Sequence, residues 1–181
     1  MNFFEEKGLE NDIKIKIYYN NIMEQTKKFK IIRVFTDGSC IGNGKENAKA
    51  GIGIYFPNNE FENVSEAFIQ APITNQRAEL YAIYKALSTI TDNCKFSKVI
   101  VYSDSLYSIK CTTEWAKKWE KDNWTKNIKN LDIIKPLYSL VNKYEGKVEF
   151  KHVNSHTGKK TYAAKGNDIV DKLACEGTLK N

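Results

Sequence analysis

No stretch of the chain approaches the roughly 20 consecutive apolar residues that span a bilayer, and the opening residues MNFFEEKGLEND lack the apolar run of a secretion signal. The expectation is a protein that stays where it is made, without a membrane segment. Its four cysteines, Cys40, Cys94, Cys111 and Cys175, are widely separated and include no C-x-x-C pair, which excludes a zinc ribbon or a redox couple. They read as reduced thiols and imply an intracellular reducing compartment, cytoplasm or nucleus. Asn63-Val64-Ser65 and Asn123-Trp124-Thr125 match the glycosylation pattern but mean nothing without secretion. Repeats and low-complexity tracts are also missing. What the 181 residues do hold is 41% hydrophobic and 12% aromatic side chains, enough to bury a core and to exclude a wholly disordered chain. Against 22 Asp plus Glu stand 28 Lys plus Arg, a formal net charge of +6 that suits an acidic partner such as nucleic acid.

Residues 1–29 are polar and irregular apart from an Ile13–Tyr19 patch, and read as an extension, with the domain proper over residues 30–181. Ile31, Ile32, Val34 and Phe35 predict a strand that stops at Thr36-Asp37-Gly38-Ser39, where Gly and Ser are turn formers. Strands over residues 51–56 and 63–69, separated by the turn Pro57-Asn58-Asn59, complete a meander. Leu80, Ile83, Tyr84, Leu87 and Ile90 then recur at helical spacing across residues 75–91, an amphipathic helix. The run VIVY within residues 98–102 has the unbroken apolar character of a strand buried on both faces of a parallel sheet. Helical patterning resumes at Leu106, crosses a Lys- and Trp-rich stretch to Trp124, and returns over residues 131–143. A last strand over residues 147–153 and a helix over 167–178 follow. Strands first, then helices and strands in alternation, give one α/β domain with a mixed sheet.

Two apolar strands that each finish in a small hydroxyl residue, an Asp and another small residue would bring Asp37 and Asp104 to one sheet edge if parallel. Ligands of open α/β sheets bind at that carboxyl edge. Each Asp alone is as readily a helix or turn cap. Glu79, in the first turns of the long helix, and Asp171, in the last helix, are further acids; Glu79 alone would serve as a partner for the helix dipole. Carboxylates drawn together raise one another's pKa and call for cations. Hard oxygen ligands suit Mg²⁺ above all.

The segments FTDGSC-IGN, TNQRAEL, VIVYSDS, HVNSHTG and GNDIVDKLA, in this order between Lys30 and about Gly177, cover some four-fifths of the chain. Together they resemble type 1 ribonuclease H. The resemblance implies a ribonuclease H-like fold, a five-stranded mixed sheet with its second strand antiparallel, flanked by helices. It implies an endonuclease that hydrolyses the RNA strand of RNA/DNA hybrids with two Mg²⁺ ions, Mn²⁺ being a substitute, and leaves 5′-phosphate and 3′-hydroxyl ends. Asp37, Glu79, Asp104 and Asp171 match the metal-binding carboxylates. Asp168 is the tempting wrong choice, because Asn167 with Asp171-Lys172-Leu173-Ala174 fits the family pattern and leaves Asp168 as a first-turn helix residue. His156 matches a mobile histidine that assists proton transfer or product release; a solvated loop histidine is the plainer alternative. His152, four residues earlier on a strand, reads as packing.

Substrate contacts carry over in the same way. Asn75 and Gln76 match residues that read 2′-hydroxyls, the group that marks RNA, although Asn75 could also cap its helix; Asn43 matches a backbone contact. Residues 110–135 hold seven Lys against four acids, a net of +3, punctuated by Trp115, Trp119 and Trp124. From composition this is a solvated helix face with aromatic anchors. From the resemblance it is the basic handle that grips the DNA strand, with Tyr107, Trp115 and Trp119 lining the channel, Thr74 and Asn130 holding a DNA phosphate, and Lys117, Lys118 and Lys121 adding phosphate attraction. The chain departs from the pattern where Gly44-Lys45-Glu46-Asn47 replaces a Pro-Gly turn, and where the loop after His156 is lengthened and carries Lys159, Lys160 and Lys165. Residues 1–29 are too short for a separate hybrid-binding domain, and a monomer without an obligate protein partner is expected. Two other classes compete: a non-catalytic nucleic-acid-binding domain of the same fold, disfavoured by the intact acids, and a transposase or junction-resolving nuclease, disfavoured by TNQRAEL and the handle.

Overall fold

The computed structural model describes residues 27–155 and 160–180; His156 and the Ile13–Tyr19 patch lie outside them. Five strands hydrogen-bond in the order β3-β2-β1-β4-β5. They are β1 (Lys27–Ile41), β2 (Lys49–Tyr55), β3 (Val64–Phe68), β4 (Cys94–Ser103) and β5 (Val148–His152). β2 runs antiparallel to β1 and β3, while β4 is parallel to both β1 and β5. This is the mixed sheet that the resemblance implies. Between and after the strands come α1 (Asn75–Asn93), α2 (Leu106–Lys110), a wide π turn (Cys111–Trp115), α3 (Ala116–Lys121), α4 (Leu131–Lys143) and α5 (Tyr162–Thr178).

The central strands are apolar on both faces, so each face needs a cover. On one side Ile32, Val34, Ile52, Ile54, Val99 and Val101 pack beneath α1 and α4, whose Ile83, Leu87, Ile134 and Leu137 are fully buried. On the other, a smaller cluster of Phe35, Ile100, Tyr102, Val153 and Val170 lies under α5. Arg77, buried in α1, makes a two-pronged ion pair with Asp132 at 2.7 and 2.6 Å, tying the start of α1 to the start of α4.

Several boundaries differ from the sequence reading, three of them near the acids or in the elements that carry them. β1 does not stop at Thr36-Asp37-Gly38-Ser39 but runs through it, because Asp37, Gly38 and Ser39 pair with Gly53, Ile52 and Gly51 of β2. Gly38 is needed for close approach rather than for a turn: a Cβ there would overlap the Glu79 amide nitrogen and lie 2.6 Å from the Ala78 carbonyl carbon. β4 begins at Cys94, ahead of the VIVY run. α5 begins at Tyr162, capped by the Thr161 hydroxyl, which accepts from the Ala164 amide at 3.2 Å. Asp168 is therefore an exposed mid-helix residue, not a first-turn one.

Candidate active site

The parallel register pairs Phe35 with Tyr102, so Asp37 and Asp104, each two residues further on, are level with one another. β1 continues past this point but β4 ends at Ser103, which opens the sheet edge beside Asp104. Glu79 comes to the same edge from α1, brought close by the Gly38 contact, and Asp171 comes from α5. The four acids line one open, polar cleft of about 380 Å³ with Gly38, Ser39, Cys40, Asn75 and Ser155. Among the described residues no Lys or Arg belongs to that lining.

Four carboxylates drawn into one cleft repel one another. Burial pushes the Asp37 carboxyl up to about 8, and Asp104, Asp171 and Glu79 push it the same way, against a 2.8 Å hydrogen bond from the Gly38 amide. Glu79 is also raised, by burial first, and is held in place by polar neighbours. The Ser105 hydroxyl donates to its Oε2, and Asn75 Nδ2 donates to its Oε1 at 2.8 Å. Asp104 accepts from Asn167 Nδ2 at 3.3 Å. Among the described residues no three His, Cys, Asp or Glu side chains are gathered to hold an ion by themselves. An ion in this open cleft would complete its coordination with water and phosphate oxygens, the usual habit of Mg²⁺.

Residues 30–178 match the RNase H family model. The chain belongs to the RNase H family. It is 37% identical over 139 residues to the probable ribonuclease H of Acanthamoeba polyphaga mimivirus, across 74% of this chain and 60% of that protein. It is 34% identical over 154 residues to ribonuclease H1 of Rattus norvegicus, across 82% of this chain and 50% of that protein. The chain thus spans half to three-fifths of the length of these relatives. The solution structure of the PFV RNase H domain shares the fold, with a TM-score of 0.64 at 22% identity over 82% of this chain and 94% of that one.

Around the cleft of this RNase H domain the substrate candidates fall into two groups. Asn43 sits between Gly42 and Gly44, whose φ values of 68° and 81° favour glycine, and its Oδ1 accepts from the Asn75 amide at 3.1 Å. The replaced Pro-Gly turn therefore still delivers Asn43 to the start of α1. Thr74, not Asn75, caps that helix, its hydroxyl accepting from the Arg77 amide; Asn75 and Gln76 follow it, half-buried. The second group is the handle. Lys117, Lys118 and Lys121 are exposed, while Trp115 and Trp119 are half-buried and pack on the main core. Tyr107 and Trp115 meet edge-on at 6.0 Å, and the Tyr107 hydroxyl accepts from Asn130 Nδ2 at 3.0 Å. Asn130 precedes α4 in a left-handed conformation, φ 63°, and is buried.

His152 corrects the sequence reading. It is exposed rather than packed, and its Nε2 lies 3.1 Å from the Asp104 carbonyl oxygen. Ser105, which holds Glu79, is a site residue that the motifs alone do not reveal; its place directly after Asp104, in a sequence Ser-Asp-Ser, is the local signal. No helix among the described residues is long and apolar enough to cross a membrane.

Proposed function

We propose that this chain is an endoribonuclease that hydrolyses the RNA strand of RNA/DNA hybrids, leaving 5′-phosphate and 3′-hydroxyl ends. The observation that carries the reading is the four-acid cleft in which Asp37 is driven up to about 8 by burial and by its three acidic neighbours. Such an all-oxygen donor set, with no Lys or Arg in its described lining, fits Mg²⁺, or Mn²⁺ in its place. Asp37, Glu79, Asp104 and Asp171 would hold two ions. When bound, these would supply an activated water and charge stabilisation for the phosphate and the leaving oxygen. The chain's own residues orient the acids: the Gly38 amide holds Asp37, Ser105 and Asn75 hold Glu79, and Asn167 holds Asp104. His156 is the candidate for moving the proton or releasing product. Asn43, Asn75 and Gln76 would read the RNA strand. Tyr107, Trp115, Trp119, Thr74, Asn130 and the handle lysines would hold the DNA strand. Residues 30–181 would form the catalytic domain, acting as a monomer in a reducing compartment.

The test presents a uniformly labelled RNA/DNA hybrid, duplex DNA and duplex RNA side by side with Mg²⁺. The RNA strand of the hybrid alone should be cut. Asp104→Asn should abolish cleavage while retaining hybrid binding, since it removes charge from the cleft and leaves Asn75, Gln76 and the handle intact. Near-normal turnover of this variant at saturating Mg²⁺ would overturn the ligand assignment.

A further inference from the structure

β4 ends at Ser103, and the hydrogen bond from the Val153 amide to the Ser103 carbonyl, 3.0 Å, is the last backbone bond between β5 and β4. Asp104 lies one residue beyond it, so the sheet does not fix the direction of its peptide group. Its carbonyl oxygen accepts from two donors instead, the Leu106 amide and His152 Nε2, each at 3.1 Å. A carbonyl oxygen can only accept, so Nε2 carries the hydrogen, in the neutral ring and in the charged ring alike. The His152 ring is exposed at the end of β5 and contributes to neither hydrophobic cluster. The ring's one hydrogen bond among the described residues is this one, spanning 48 residues of chain.

We infer that His152 is a positioning residue for Asp104: by holding the Asp104 carbonyl from β5, it fixes the peptide from which the carboxylate reaches into the cleft. Three elements then grip Asp104. α2 holds its carbonyl through Leu106, β5 holds the same oxygen through His152, and α5 holds its carboxylate through Asn167. Because Leu106 remains when His152 is changed, the fold survives and only the aim of the carboxylate loosens. The inference rests on the reading of Asp104 as a cation ligand.

Two variants separate donor from ring: His152→Gln keeps an N–H donor at similar reach, and His152→Phe keeps a planar ring without one. Mn²⁺ affinity is read directly from the paramagnetic resonance signal of free Mn²⁺, beside kcat, KM for the hybrid and the melting temperature. His152→Phe should weaken Mn²⁺ binding and lower kcat by roughly 3- to 10-fold each, the worth of one hydrogen bond, with KM and melting temperature close to wild type. His152→Gln should stay within about twofold in each measure, well inside the effect of losing that bond. Unchanged Mn²⁺ affinity in His152→Phe, or equal loss in both variants, would overturn the positioning role while leaving the function intact. Wild-type protein that binds no Mn²⁺ would overturn the metal reading itself, and the inference with it.

Discussion

Asp37 carries a stability cost that its chemistry explains. Its carboxyl rises from 3.8 to about 8, chiefly through burial and then through Asp104. Between those values the folded, metal-free protein binds a proton that the unfolded chain has released, so stability falls as pH rises through that window. Asp37→Asn removes the titrating group. In EDTA the variant should melt several degrees above wild type at pH 8.5, with the gap closing toward pH 4, while cleavage is lost. Added Mg²⁺ should raise the wild-type melting temperature more than that of the variant, because ligand binding to the folded state alone stabilises it. Parallel melting curves across pH would show that Asp37 is not held neutral. The four acids are legible in the sequence because five short motifs in order carry them. Their supports are less so: His152 reaches Asp104 across 48 residues and Asn167 reaches it across 63, and bonds of that span leave no local pattern.

At the scale of elements, α2, the π turn and α3 form one arm with two unlike sides. Trp115 and Trp119 are 6.2 Å apart, Trp119 and Trp124 6.4 Å, and Trp124 meets Tyr138 of α4 at 5.9 Å, so the aromatic side anchors the arm. The Tyr138 hydroxyl donates to Glu120 at 2.7 Å, which fixes that carboxylate against α4. Lys117, Lys118 and Lys121 stand exposed with no ion pair among the described residues. Replacing all three by Ala should weaken hybrid binding at low salt and reduce its dependence on log[KCl] by up to about 0.9 for each phosphate left unneutralised. kcat at saturating hybrid should hardly change. Affinities measured between roughly 50 and 300 mM KCl, a range over which counterion release dominates, decide it; parallel lines would leave these lysines as a solvated face only. Helical elements are legible in the sequence, since the spacing of Leu80 to Ile90 has one interpretation. Strand ends are not, because whether Gly38 turns the chain or lets α1 approach depends on a partner about 40 residues away.

Across the whole molecule, β1 runs from Lys27 at one end of the sheet to Asp37 near the other, ten residues at about 3.3 Å each, or roughly 33 Å. The start of β1 and the four-acid cleft are thus at opposite ends of the sheet, and the sequence boundary at Lys30 falls inside β1. Lys27, Lys28 and Phe29 pair with Cys94, Lys95 and Phe96, and Phe29 packs on the main core with its ring 6.2 Å from Phe61. A protein beginning at Lys27 keeps the whole of β1 and is the reference against which its first residues are measured. One beginning at Lys30 loses those three strand pairs and the burial of Phe29, worth about 1–2 kcal/mol for a partly buried ring. It should melt roughly 2–8 °C lower, at about 2–4 °C per kcal/mol for a protein of this size. Its kcat below the melting range should be unchanged, because the loss lies some 30 Å, about nine strand residues, from the acids. Thermal melts and turnover of the two truncated proteins check this. Loss of turnover on removing residues 1–26 would assign those residues a part in the activity. Equal stability of the two truncations would mean that the start of β1 adds nothing to the sheet.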